Sequence, residues 1–153
     1  MIRPYAAPDL EDLLDTWEAS SRLAHPFLED TFVAGERRNL EELYLPNTET
    51  WGWEHDGRVV GFIALIDSAS DGITRTEIGG LFVAPGHIGK GFGRALVDHA
   101  AASRETLDVE VFEANALGRA FYARYGFRQV ARSVHEPTGQ AVLRLTLDRA
   151  PAP

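Results

Sequence analysis

Leu81-Phe82-Val83-Ala84-Pro85-Gly86-His87-Ile88-Gly89-Lys90-Gly91-Phe92-Gly93-Arg94 is the stretch that decides how this chain is read. It begins as an apolar strand and passes through a turn with glycines at alternate positions. It continues as a helix, because Phe92, Ala95, Leu96, His99 and Ala100 recur at helical spacing to about Ala102. Glycines let consecutive amides face one way without a Cβ in the path, and a helix start adds unsatisfied N–H groups and a positive dipole end. Together these make a phosphate cradle. Two nucleotide motifs fit less well. A P-loop needs Ser or Thr after its Gly-Lys, and Lys90 is followed by Gly91. A dinucleotide fingerprint needs its third glycine where this chain has Arg94, although Asp108 and Glu110 stand about where a ribose-binding acid is expected.

Outward from the turn, Leu107, Val109 and Val111 alternate as a strand, so strand, helix and strand form one unit at the centre of the chain. Asn115 to Tyr125 reads as a short helix with Asn115 as N-cap and Gly126 as its stop, and Phe127 to Val134 and Ala141 to Leu147 as closing strands. Arg149 to Pro153 reads as a loose tail. Upstream, Gly79-Gly80 inside the strand Ile78 to Val83 predicts a bulge or a close backbone approach. Asp67 to Thr74 has loop composition, and Trp51 to Ile66 reads as a hairpin turning at Asp56-Gly57. Two helices precede it: residues 9–21, with Leu10, Leu13, Leu14 and Trp17 on one face, and about Glu29 to Tyr44. A short strand at Ile2 to Tyr5 opens the chain. The fold class is mixed α/β, a central sheet flanked by helices, in one domain spanning 1–153.

The 153 residues carry 44% apolar and 25% charged side chains, as a globular protein does. There is no cysteine, which excludes disulfides, thiolate nucleophiles and cysteine-bound zinc and fits a reducing cytoplasm. No cluster has metal-ligand spacing, so no metal is expected. Met1 to Leu10 lacks the pattern of a secretory leader, and the longest apolar run, Val59 to Ile66, is too short to span a bilayer; neither export nor membrane insertion is expected. A net charge of −8 argues against nucleic acid as a partner. Residues 1–56 carry 13 acidic and 4 basic side chains, a net −9, whereas the remainder carries +1. The first part suits a cation and the second tolerates phosphates, although solvated helix faces would look the same.

The turn does not stand alone. With Asn115, Phe121, Tyr122, Gly126 and Phe127 it resembles the two diagnostic segments of the GNAT N-acetyltransferase superfamily: Arg/Gln-x-x-Gly-x-Gly/Ala, then Asn, six residues, Tyr and Gly-Phe. Gly91 and Gly93 take the glycine positions. The element order matches along nearly the whole chain, and His25-Pro26-Phe27-Leu28 resembles a His-x-Phe-Leu segment of small bacterial members. One departure is Ile88, which replaces the Arg or Gln opening the turn motif; it removes a polar side chain and leaves the amides intact.

The resemblance implies a fold with splayed strands around acetyl-CoA as co-substrate. The cofactor site would be formed by Leu81, Phe82, Val83, Ile88, Gly89, Lys90, Gly91, Gly93, Arg94, Asn115 and Phe121, the pantetheine arm adding to the strand at Leu81 and Val83. It also implies Tyr122 as hydrogen-bond donor to the leaving thiolate, with a core aromatic role as the alternative. Amide formation needs a neutral amine, and an alkyl ammonium with pKa about 10.4 must first lose a proton. Glu77 matches a position where some family members carry the base, with a solvated strand carboxylate as the alternative and His25 or an ordered water as the next candidates for the base. His25, Phe32 and Trp53 fall where the acceptor is usually enclosed. The expected activity is direct acetyl transfer to a primary amine of a small molecule or peptide, and a homodimer is compatible with it. The rivals are a non-catalytic acyl-CoA-binding module of the same fold and a dinucleotide-binding oxidoreductase.

Overall fold

A computed structural model describes residues 1–148; the tail expected at 149–153 lies outside the described residues. The seven strands are β1 (Ile2–Pro4), β2 (Glu49–His55), β3 (Arg58–Ser70), β4 (Ile73–Val83), β5 (Thr106–Phe112), β6 (Arg128–His135) and β7 (Gln140–Asp148). Four helices join them: α1 (Leu10–Ala24), α2 (Asp30–Asn39), α3 (Phe92–Ala101) and α4 (Ala116–Tyr125). They form one sheet in the order β1-β2-β3-β4-β5-β7-β6. Every pairing is antiparallel except β4 with β5.

Period-two alternation sorts the strand residues onto two faces. Ile63, Leu65, Ile78, Val109, Val111, Leu143 and Leu145 meet Leu96, Val97 and Ala100 of α3 and Tyr122 of α4 in the larger core. On the opposite face Phe62, with Phe82 beside it, packs against Leu13 and Leu14 of α1 and against Leu40 and Leu45.

The sequence differs from the structure in two elements. Asp67 to Thr74 is not a loop: β3 runs to Ser70 and β4 starts at Ile73, joined by the two-residue turn Asp71-Gly72, where φ is 53° and 75°. Such a turn demands positive φ at both positions and favours Asp-Gly. The flanking Ser, Asp and Thr residues read as loop because the tip of this hairpin is exposed, with no apolar face to betray a strand. The helix expected from Glu29 to Tyr44 ends as an α-helix at Asn39 and widens into a π-turn at Leu40–Tyr44, closed by Leu45 N–H donating to the Leu40 carbonyl. That widening points both Leu40 and Leu45 into the core beneath α1.

The bulge expected at Gly79-Gly80 is present: Ala64 pairs with Gly80 and Leu65 with Ile78, leaving Gly79 as the extra residue. It falls where β4 leaves β5, because the parallel ladder covers only Thr76 to Ile78 against Leu107 to Val109. Ahead of that divergence the strands are riveted by charge. Asp108, 3% exposed, accepts two hydrogen bonds of 2.8 Å from Arg75 of β4 and one of 2.6 Å from Thr146 of β7. Arg144 of β7 donates to Glu77 of β4 at 2.8 Å. Burial alone would raise the Asp108 carboxyl; the bonds from Arg75 and Thr146 outweigh it and hold the group below the usual Asp range.

A depressed folded pKa gives stability that is fully present above the unfolded value of about 3.9 and is lost as pH falls through the folded one. Asp108→Ala should therefore cost about 2 kcal/mol at pH 7, tempered because the orphaned Arg75 is half exposed and can be rehydrated. Urea unfolding from pH 7 to 2 checks this: the variant should be less stable at neutral pH and lose less on acidification. Parallel curves for the two proteins would show that the rivet is not at Asp108.

Candidate active site

Where β4 and β5 part, a cavity of about 700 Å³ opens through the sheet. Its floor is the β4 edge from Ile78 to Val83, unpaired by β5 beyond Ile78. Main-chain groups along such an edge can bind an extended chain as an added strand. One wall is the start of α3. Gly91 is its N-cap at φ 86°, and Gly89 lies at φ 85°, the left-handed region that a Cβ disfavours. Behind them the first-turn amides of α3 and its dipole end face an incoming anion. An open strand edge beside a helix-terminus anion cradle fits a pantetheine arm carrying a pyrophosphate.

Of the residues anticipated for the cofactor, Leu81, Phe82, Val83, Ile88, Gly89, Gly91, Gly93, Arg94, Asn115 and Phe121 line this cavity. Lys90 does not: its Nζ lies 3.1 Å from Nδ1 of His87, and it is His87 that reaches the lining. Gly93 lies against Phe121, where an added Cβ would make ordinary van der Waals contact at 3.5 Å. Arg94 is held over the Tyr125 ring, 5.2 Å from its centroid.

The opposite wall is α4. Asn115 caps it, accepting from the Gly118 N–H at 2.9 Å. Gly126, at φ 121°, ends it with its N–H on the Tyr122 carbonyl. Tyr122 is 6% exposed and lines the cavity, and its hydroxyl has no hydrogen-bond partner among the described residues. Burial pushes the phenol above its ordinary pKa, so it stays protonated and able to donate.

On the far side of the sheet His25, Phe32, Leu28, Glu36 and Phe112 enclose the same cavity. His25 is a half-buried imidazole whose loss of solvent pushes it down to about 4, neutral at pH 7, and it rests edge-on against Phe27 and Phe112. Trp53, expected here, is elsewhere. It faces α3, stacked on Phe92 at 4.6 Å, because its place in β2 turns it to the larger core. Glu77 is not brought to the cavity either; its carboxylate sits in the ion pair with Arg144 and is absent from the lining.

The carboxylate that does line the cavity at the divergence is Glu110 of β5, with a longer contact of 3.5 Å to Arg144. Sequence reading weighed Glu110 only as a ribose ligand. The signal was present, since Val109 and Val111 face the core and the alternation turns Glu110 to the opposite side, five residues before Asn115. The charged lining is thus divided: Arg94 and Arg124 on α3 and α4, Glu36 and Glu110 on α2 and β5.

The family model for acetyltransferases (GNAT) matches residues 10–127. The chain is 31% identical to the peptidyl-lysine N-acetyltransferase YjaB of Salmonella typhimurium over 141 residues, 90% of this chain and 89% of that one. It is 28% identical to the peptidyl-lysine N-acetyltransferase YiaC of Escherichia coli over 130 residues, 85% of this chain and 84% of that one. Its fold is that of the PaiA N-acetyltransferase from Thermoplasma acidophilum, solved in complex with coenzyme A, with TM-score 0.78, 19% identity and coverage of 94% of this chain and 96% of that one.

Gly91→Glu should abolish the rise in melting temperature that acetyl-CoA produces, since it strains a left-handed position and sets a carboxylate where a phosphate belongs. Thermal shift with acetyl-CoA, with NAD as control, checks this. A folded variant stabilised as strongly as the parent would remove the turn from the cradle.

Proposed function

The chain belongs to the acetyltransferase (GNAT) family, and we propose that its acceptor is the side-chain amine of lysine in a protein or peptide. It is an N-acetyltransferase that uses acetyl-CoA, as the family match and the relatives establish. The observation carrying the lysine reading is the division of charge: among the described residues the acidic groups in the lining, Glu36 and Glu110, belong to α2 and β5, whereas its arginines belong to α3 and α4. A lysine amine arrives as a cation and is attracted to that half, whereas phosphates are attracted to the other. The peptidyl-lysine acceptors named for YjaB and YiaC agree with it.

Acetyl-CoA, when bound, supplies an acetyl group activated as a thioester. Of a lysine amine with pKa about 10.4, only about one molecule in 10³ is unprotonated at pH 7, so a base in the cavity speeds attack. Glu110 takes that role, directly or through a water, in preference to Glu77, whose carboxylate is held at short range by Arg144. Tyr122 gives its hydroxyl proton, wholly or as a strong hydrogen bond, to the sulfur that leaves. With its acidity lowered by burial, the phenol remains a donor across the working pH range. Phe32, Leu28 and Phe112 supply apolar walls that suit the four-methylene stem of lysine.

Peptides with a free lysine and a blocked N-terminus, peptides with the reverse, and small diamines should be compared by thiol release and peptide mass. The lysine peptides should be preferred; turnover confined to small amines would overturn the acceptor. Tyr122→Phe should keep coenzyme A affinity and lose about 10²–10⁴ in kcat. Glu110→Gln should lose turnover at pH 7 and regain it as pH rises toward the amine pKa, while Glu77→Gln should cost far less. The opposite order would return the base to Glu77.

A further inference from the structure

His25 belongs to the segment after α1, and Asn115 to the start of α4, yet Asn115 Nδ2 and His25 Nε2 lie 3.1 Å apart across the cavity. The direction of this bond follows from its neighbour. Asn115 Oδ1 is taken by the Gly118 N–H, so Nδ2 faces the imidazole and donates to it. Nε2 must then be the acceptor, and His25 is the neutral tautomer with its proton on Nδ1. The ring is held in that orientation by edge contacts to Phe27 at 5.7 Å and Phe112 at 5.0 Å.

Asn115, Gly118 and Tyr122 follow i, i+3, i+7 spacing and share the face of α4 that lines the cavity. Gly118 is small for a stated reason. An added Cβ would lie 2.5 Å from Asn115 Nδ2 and 3.0 Å from its Cγ, so any side chain there would expel the Asn115 amide. Substituting glycine by alanine inside a helix normally stabilises it. Here the space is reserved for a side chain that reaches across the cleft. The helix is thereby tied at its start to the acceptor-side segment, and its end is closed by Gly126 and Phe127, whose N–H groups meet the Tyr122 carbonyl at 3.1 and 3.0 Å.

We propose that His25 is a positioning residue: through Asn115 it sets the placement of α4, and so where the Tyr122 hydroxyl stands relative to the leaving sulfur. The inference rests on Tyr122 as the proton donor. It separates His25 from the roles of base and of acceptor contact. Its Nε2 lone pair is already engaged, and what the site needs from it is a hydrogen-bond acceptor at a fixed point.

A double-mutant cycle tests it, with acetyl-CoA and a lysine peptide as substrates. His25→Phe keeps the ring contacts and removes the acceptor; it should lower kcat by about 10–10²-fold, the scale of a misplaced catalytic group, with little change in acetyl-CoA KM. His25→Gln, whose Oε1 reaches about where Nε2 stood but is no base, should restore most of the turnover. Combined with Tyr122→Phe, His25→Phe should cost nothing further, because the group it positions is gone. Gly118→Ala reaches the same bond from the other side and should lower kcat alone yet add nothing to His25→Phe. Losses that multiply in the Tyr122→Phe background, or failure of Gln to restore turnover, would overturn the inference and leave the Tyr122 assignment standing. Normal turnover of Tyr122→Phe alone would overturn both. Thermal melts of each variant exclude unfolding as the cause.

Discussion

Two parallel strands that pair for three residues and then part are the constraint on which this molecule depends. β4 and β5 are held together from Thr76 to Ile78 and from Leu107 to Val109. Beyond that, the extra residue Gly79 bends β4 away, because a bulge increases local twist and releases the strand from its neighbour. The chain then leaves β4 directly into the turn and α3, and leaves β5 directly into α4. Both helix N-termini and one open strand edge therefore converge on a single opening. In open α/β sheets ligands gather outside the carboxyl ends of parallel strands for the same reason. Separating the strands exposes main-chain groups that need partners, so the sheet must be fastened just before the gap, and the buried Asp108 with Arg75 and Thr146 does so.

Passing through the sheet, the opening gives its two halves different company. The cofactor half sits among helix starts and arginines; the other half lies under α1 and α2, in the part of the chain where acidic side chains outnumber basic ones 13 to 4. Many of those carboxylates are occupied. Asp9 is bound by Arg3, Asp12 by Arg58, Asp15 by Arg37 and Asp30 by Arg22, so much of the acidic excess read from composition is structural or solvated. Among the described residues the lining takes one carboxylate from this part, Glu36, and one from β5, Glu110, and these two carry the electrostatic argument that the total charge does not.

Patterns with a local cause were legible in the sequence. Gly126 as a helix stop, Asn115 as an N-cap, the Gly79-Gly80 bulge and the glycine turn each follow from what one or two residues can do with their own backbone. The resemblance to the acetyltransferases was legible through Gly91, Gly93, Asn115, Tyr122 and Gly126 for the same reason. What depended on partners distant in sequence was not. Glu77 and Glu110 are both strand carboxylates, and it is Arg144, 67 and 34 residues away, that distinguishes them, bonded to Glu77 at 2.8 Å and to Glu110 at 3.5 Å. Trp53 was misplaced because alternation in β2 gives two faces without saying which helix covers each. The exposed hairpin at 67–74 has no buried face, and so no hydrophobic alternation to mark it as strand.

Ile88 shows how the demands of the cradle rank. Its position in the family motif is polar, and here an aliphatic side chain, 47% exposed, stands at the cavity mouth. The groups behind it that suit an anion are amides, which nearly every residue supplies, and their aim is set by backbone angles. Those angles are tightly constrained: Gly89 and Gly91 occupy φ near 85°, which few residues other than glycine adopt without strain. A polar side chain at 88 would add one more donor at an exposed rim, where its interaction with a phosphate is weakened by water and salt. Arg94 and Arg124 already contribute charge to the same half of the cavity. The side chain opening the turn is thus replaceable in a way that its glycines are not, because main-chain conformation rather than side-chain chemistry is what suits a turn of this kind to a phosphate.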